Sequence, residues 1–119
     1  MSDDELSAET IDWSDFERVE IRVGTIVDAE EFPRARKPLY RLTIDFGPGI
    51  GTRRSAAGLP PRYSVDELPG KQVIAALNLG ERNIAGFVSE CLTLGVPDGE
   101  GQAILLEPTR KVPDGGRLY

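Results

Sequence analysis

At 119 residues, with 39% hydrophobic and 7% aromatic side chains, the chain is long enough for one domain with a core but not for two. It has no histidine and a single cysteine, Cys91, which excludes Ser-His and Cys-His nucleophile pairs, histidine zinc sites, multi-thiolate clusters and an internal disulfide. The net charge of −6 hides an asymmetry: residues 1–31 carry −9, residues 32–65 carry +6 and residues 66–119 carry −3.

The basic middle (Arg34, Arg36, Lys37, Arg41, Arg53, Arg54 and Arg62 against Asp45 alone) has two readings. It is either a local footprint for an anion or nucleic acid, or a set of solvated strand faces paired with the acidic N-terminus. No carboxylate pair comes with signs of a catalytic pocket, so no enzyme activity, cofactor or metal is expected. No apolar run approaches the roughly 20 residues of a membrane span, so no membrane partner is expected. The start, MSDDELSAET, lacks the charged-then-apolar order of a signal peptide, and the expected compartment is the cytoplasm.

Residues 1–14 read as an acidic extension. Trp13 to Glu17 has the pattern of a helical turn capped by Ser14, with Glu17 as the capping-box partner. Trp13 and Phe16 would then form a lid on the core or a contact with a second subunit. Arg18 to Glu30 alternates with a period of two, Val19, Ile21, Val23, Thr25, Val27 and Ala29 forming the apolar face. Gly24 in its middle suggests the bulge or bend that a long first barrel strand needs. The loop EFPRARKP (31–38) sets three bases between two prolines, and Tyr40 to Phe46 alternates as a second strand.

After the turn GPGIG (47–51), a third strand is expected at 50–59, with Arg53, Arg54 and Ser55 at its centre. Neighbouring strand residues point to opposite faces, so Arg53 and Ser55, at spacing two, are expected to line the groove, with Arg54 on the other side. Residues 60–70 read as a short helical crossover between two proline signals. A fourth strand follows at 73–79, a fifth at 92–96, and a return strand at 103–106. The chain closes with a turn-rich tail at 113–119. The order fits an all-β protein, the five-stranded Greek-key OB-fold barrel, with a helical insert between strands three and four and extensions at both ends.

Between the last buried strands lies NLGERNIAGFVSECLTLG (78–95), with more polar chemistry than packing requires. Asn78 suits either a corner or a ligand. Arg82 suits either a phosphate or a turn cap. Glu90 is suited to orienting Arg53 or Arg82, since a carboxylate repels phosphate, and Arg53 could instead be tied to Glu90 or Glu81. Phe87 reads as core or as a stacking surface.

Together, DFERVEIRVGTIVDAEEFPRARKPLYRLTIDFG, IGTRRSAAGL and the 78–95 stretch resemble the tRNA-binding-domain family of OB-folds, most closely its stand-alone, export-related chaperone branch of CsaA type. The resemblance covers about residues 15 to 112 and implies a non-catalytic homodimer joined partly through its terminal extensions. It implies two partners: tRNA, and unfolded or pre-secretory polypeptides. Residue by residue, the family's lysine before its serine pair is Arg53 here, and its first serine is Ser55. The second serine is replaced by Ala56, and a nearby glutamine by Gly58. The family's polar corner appears as Asn78-Leu79-Gly80-Glu81-Arg82, while Ile84, Gly86, Phe87, Ser89 and Glu90 match directly. The site expected from these readings is Arg53, Ser55, Asn78, Arg82, Phe87, Ser89 and Glu90. A structural dimer that scaffolds other proteins, or binds polypeptide without RNA affinity, is the alternative.

Overall fold

Strand β1, Ile21–Glu31, is shared by both halves of the barrel. Its first half pairs antiparallel with β4 (Gln72–Ala76) and its second half with β2 (Tyr40–Asp45). The computed structural model describes residues 8–119, so the first half of the predicted acidic extension, residues 1–7, lies outside the described residues.

The bulge in β1 falls at Val27, not at the expected Gly24. The register steps from Ile26↔Ile44 to Asp28↔Thr43 and leaves Val27 as the extra residue. One inserted residue shifts a period of two by one position. Ile26 is therefore core, while Val27, expected on the apolar face, is 50% exposed. Gly24 serves close approach instead: a Cβ there would lie 2.7 Å from Ile44 Cγ2 and from the Phe46 ring.

β3 (Thr52–Ala57) continues from β2, and β7 (Leu92–Thr93) pairs with β4, giving the sheet order β3-β2-β1-β4-β7. The two ends of this sheet meet. The Glu90 N–H donates to the Arg54 carbonyl at 2.8 Å. The Ser55 hydroxyl donates to the Cys91 carbonyl at 3.1 Å and lies 2.8 Å from Thr93 Oγ1. Five strands closed in this order make an OB-fold barrel. Ile26, Leu42, Ile44, Phe46, Leu59, Leu68 and Val73 fill it.

The insert between β3 and β4 is a single 3₁₀ turn, Val65–Glu67, whose Glu67 carboxylate accepts the Ser64 N–H at 2.7 Å. β5 (Arg82–Ile84) and β6 (Phe87–Ser89) form a hairpin outside the main sheet. The expected fifth strand divides at Leu94: β7 stays in the barrel, and β8 (Gly95–Pro97) pairs with β9 (Ala103–Leu105).

The tail occupies the side of β1 that β2 leaves free. Val23 exchanges backbone hydrogen bonds with Gly115 and Gly116 at 2.7 and 2.9 Å, and Leu118 N–H donates to Ile21 at 3.0 Å. Thr25 Oγ1 clamps it by donating to the Asp114 carboxylate at 2.6 Å. Helix α1, Trp13–Glu17, is capped by Asp12, whose N–H donates to Asp15 Oδ2 at 3.2 Å. The Ser14–Glu17 box expected from the sequence is thus displaced by two residues, because an aspartate pair at the same spacing precedes it. Trp13 is 86% exposed and is no lid on the core.

Candidate nucleic-acid interface

The loop 32–39 after β1 and the β5–β6 hairpin face each other across the outer surface of β2 and β3. Between them runs a cleft with two lobes. The narrow inner lobe is lined by Phe32, Arg34, Arg41, Arg54, Ala85, Gly86 and Phe87. The wider outer lobe, about 480 Å³, is lined by Arg34, Ala35, Arg36, Lys37, Leu39, Arg82, Ile84 and Ala85. Six cationic side chains thus border two adjoining lobes that share Arg34 and Ala85, and among the described residues no carboxylate lines either lobe. Adjacent like charges at a surface raise the local concentration of an anionic ligand.

The inner lobe is built on packed rings. The Phe87 ring, 5% exposed, meets Phe32 edge to face at 5.6 Å and 63°. The Arg54 guanidinium lies 4.2 Å over Phe87, and that of Arg41 lies 5.2 Å over Phe32. Arg41 also donates to the Glu31 carbonyl at 3.1 Å. Cation–π contact of this kind attracts the guanidinium to the face of the ring and holds it there.

Of the seven residues expected at the site, Arg82 and Phe87 lie in this cleft. Ser55 does not. It is fully buried inside the barrel, its hydroxyl engaged by Cys91 and Thr93. Arg53 and Arg54 exchange their expected places: Arg53 pairs with Ile44 and Ser55 with Leu42, both core residues, so that face of β3 turns inward. Arg54 is left on the outer face, over Phe87. Ser89 is buried and its Oγ accepts the Ala56 N–H at 3.0 Å. Glu90 orients neither Arg53 nor Arg82; its carboxylate accepts the Arg54 backbone N–H at 2.9 Å. Asn78 is a corner residue: Oδ1 accepts the Glu20 N–H at 2.8 Å, and Nδ2 donates to the Arg18 carbonyl at 2.7 Å.

Arg62 also leaves the basic stretch. It is paired with Asp98 at 2.7 Å and Glu100 at 2.9 Å. Of the residues missed as individuals, Arg34, Arg36, Lys37, Arg41 and Arg54 belong to the basic middle of the sequence, whereas Phe32 precedes the first of these bases and carries no charge signal. Alternation around Ala57 carried the parity signal for Arg54: a buried Ala57 turns Ser55 and Arg53 inward.

The family described as "Putative tRNA binding domain" matches residues 21–117 of the chain. The chain belongs to the tRNA-binding-domain family. This tRNA-binding domain is 39% identical to the chaperone CsaA of Bacillus anthracis, with a TM-score of 0.85, covering 93% of this chain and 100% of that one. To the CsaA chaperone of Picrophilus torridus it is 40% identical, again with a TM-score of 0.85, covering 92% and 100%. It is also 37% identical over 111 residues to the methionine–tRNA ligase of Porphyromonas gingivalis. That match takes in 93% of the domain but 16% of the ligase, so the chain spans about a sixth of the length of such relatives. The matched range ends at residue 117, within the tail that pairs with β1.

Proposed function

We propose that this chain is a non-catalytic RNA-binding module that takes tRNA on the arginine-lined cleft and works in the cytoplasm as a homodimer. The observation that carries the reading is the set of six cations around one cleft whose lining, among the described residues, holds no acid. Membership of the tRNA-binding-domain family supports tRNA as the ligand. Phosphate neutralisation releases counterions, so affinity should fall steeply with salt. If all six cations meet phosphates, the log–log slope is about −4 or steeper. Fluorescence anisotropy of labelled tRNA across a salt series tests this. No binding at low salt would discard the RNA reading.

The dimer rests on the termini. Trp13, Phe16, Glu17, Arg117, Leu118 and Tyr119 line an open apolar cleft of about 630 Å³, in which Trp13 and Tyr119 are almost wholly exposed. An apolar surface of this kind on a small domain marks a contact with another chain, and a two-fold copy of itself would cover it on both subunits. Light scattering at working concentration should give twice the chain mass; a monomer overturns it.

A second reading, that the protein holds unfolded or pre-secretory polypeptide, is favoured by the likeness to two CsaA chaperones. It predicts capture of a labelled unfolded peptide with weak salt dependence, in contrast to the tRNA slope.

A further inference from the structure

We propose that the two lobes of the cleft divide the work of RNA recognition. The inner lobe holds one unstacked nucleobase, laid flat on the open face of the Arg54 guanidinium, and the outer lobe holds backbone phosphates. This rests on the RNA-binding reading above and specifies what part of the RNA enters.

The chemistry of the two lobes differs. In the outer lobe, Arg36, Lys37 and Arg82 are cations with small or aliphatic neighbours and no ring beneath them. That suits phosphate, which any mobile cation can meet. In the inner lobe two of the cations, Arg41 and Arg54, sit over aromatic rings. Arg54 is fixed from both directions: its backbone exchanges hydrogen bonds with Glu90, and its guanidinium rests on a buried ring. The centre of the guanidinium lies over Phe87, and the residue is exposed. A supported and exposed guanidinium is a platform on which an unpaired base can stack.

The space fits the same occupant. The inner lobe is about 150 Å³, under a third of its neighbour, and so admits a group the size of one base rather than a stretch of backbone. Its rim is the Ala85-Gly86 turn, where Ala85 has φ 49° and Gly86 φ 87°. Asn83 Oδ1 accepts the Gly86 N–H at 2.9 Å and holds that turn. A Cβ at Gly86 would meet nothing within 4 Å, so the entrance is open. Arg34 lines both lobes, where a nucleotide with its base inside would carry its phosphate.

The test uses the full chain and two RNAs of equal length: a hairpin with 2-aminopurine in a single-stranded loop, and a blunt duplex without unpaired bases. Wild type should bind the loop RNA more tightly and change the 2-aminopurine fluorescence. Arg54→Lys keeps the charge but loses the planar fork. It should weaken loop binding by about tenfold, in line with the loss of one stacked base, and abolish the fluorescence change. Duplex affinity and the salt slope should stay at their wild-type values. Arg41→Lys, which leaves β3 untouched, should act in the same direction, and Arg110→Lys, at an exposed residue outside both lobes, should change little. A thermal melt establishes that each variant is folded. Loop binding by Arg54→Lys equal to wild type, equal wild-type affinity for loop and duplex, or an unchanged 2-aminopurine signal would overturn the base subsite while leaving RNA binding in place. Displacement of bound RNA by an unfolded peptide, with no fluorescence change on RNA binding, would assign the inner lobe to polypeptide. Absence of any RNA binding at low salt would overturn both readings together.

Discussion

Glu90 and Arg54 are joined twice: the Glu90 carboxylate accepts the Arg54 N–H at 2.9 Å, and the Arg54 carbonyl accepts the Glu90 N–H at 2.8 Å. This pair sews the edge of β3 to the segment after β6 and so closes the barrel, while presenting the Arg54 side chain to the cleft. Beside it, the buried Ser89 hydroxyl accepts the Ala56 N–H. The sequence puts both residues in the expected site, Glu90 as the group that orients Arg53 or Arg82; the fold uses them to satisfy a strand edge that would otherwise be open.

Ser89→Ala should therefore destabilise the protein by about 1–3 kcal/mol, the cost of leaving a strand N–H without its partner. Its tRNA affinity per folded molecule should be unchanged. Denaturant titration and anisotropy on the same preparation separate the two; weaker binding at unchanged stability would return Ser89 to the ligand site.

Gly24→Ala places a methyl 2.7 Å from Ile44 Cγ2 and the Phe46 ring, both deep in the core. Overpacking there should cost about 1–3 kcal/mol. A variant that melts like wild type would mean that β1 can move away from β2 without loss.

Acid should loosen the Arg62–Asp98 pair. Hydrogen bonding to Arg62, then the backbone N–H groups of Gln102 and Glu100, hold the Asp98 carboxyl at about 2, below its usual 3.8. A depressed folded-state value means that the unfolded chain binds the proton first as pH falls. The stabilisation is thus fully present above about pH 4 and is lost as pH drops through about 2. Arg62→Gln should flatten the stability profile in that window, which melts at stepped pH would record.

Cys91 is buried, and burial pushes its thiol up to about 11. The nucleophilic species is the thiolate, so thiol reagents should react slowly with the folded protein at pH 8 and rapidly in denaturant. The sign for stability is opposite to that of Asp98: the contribution is present below pH 9 and is lost as pH rises toward 11. Fast labelling of the folded protein would show that β7 opens readily.

Alternation, turn residues and local charge were enough for the all-β class, the order of the barrel strands, the place of the short crossover and the existence of a basic stretch, though not for its place on the cleft, because period, breakers and local charge are properties of neighbours along the chain. Register and closure are not. Whether Arg53 or Arg54 meets the solvent depends on which β2 residues stand opposite, and Ile44 and Leu42 turn Arg53 and Ser55 inward. The one-residue step at Val27 inverts the face of β1 for the same reason. Ser89, Glu90 and Asn78 carry polar groups that suit a ligand or a backbone equally. Their partners, Ala56, Arg54 and Arg18, lie 33, 36 and 60 residues away, and only the closing of the barrel brings them within reach.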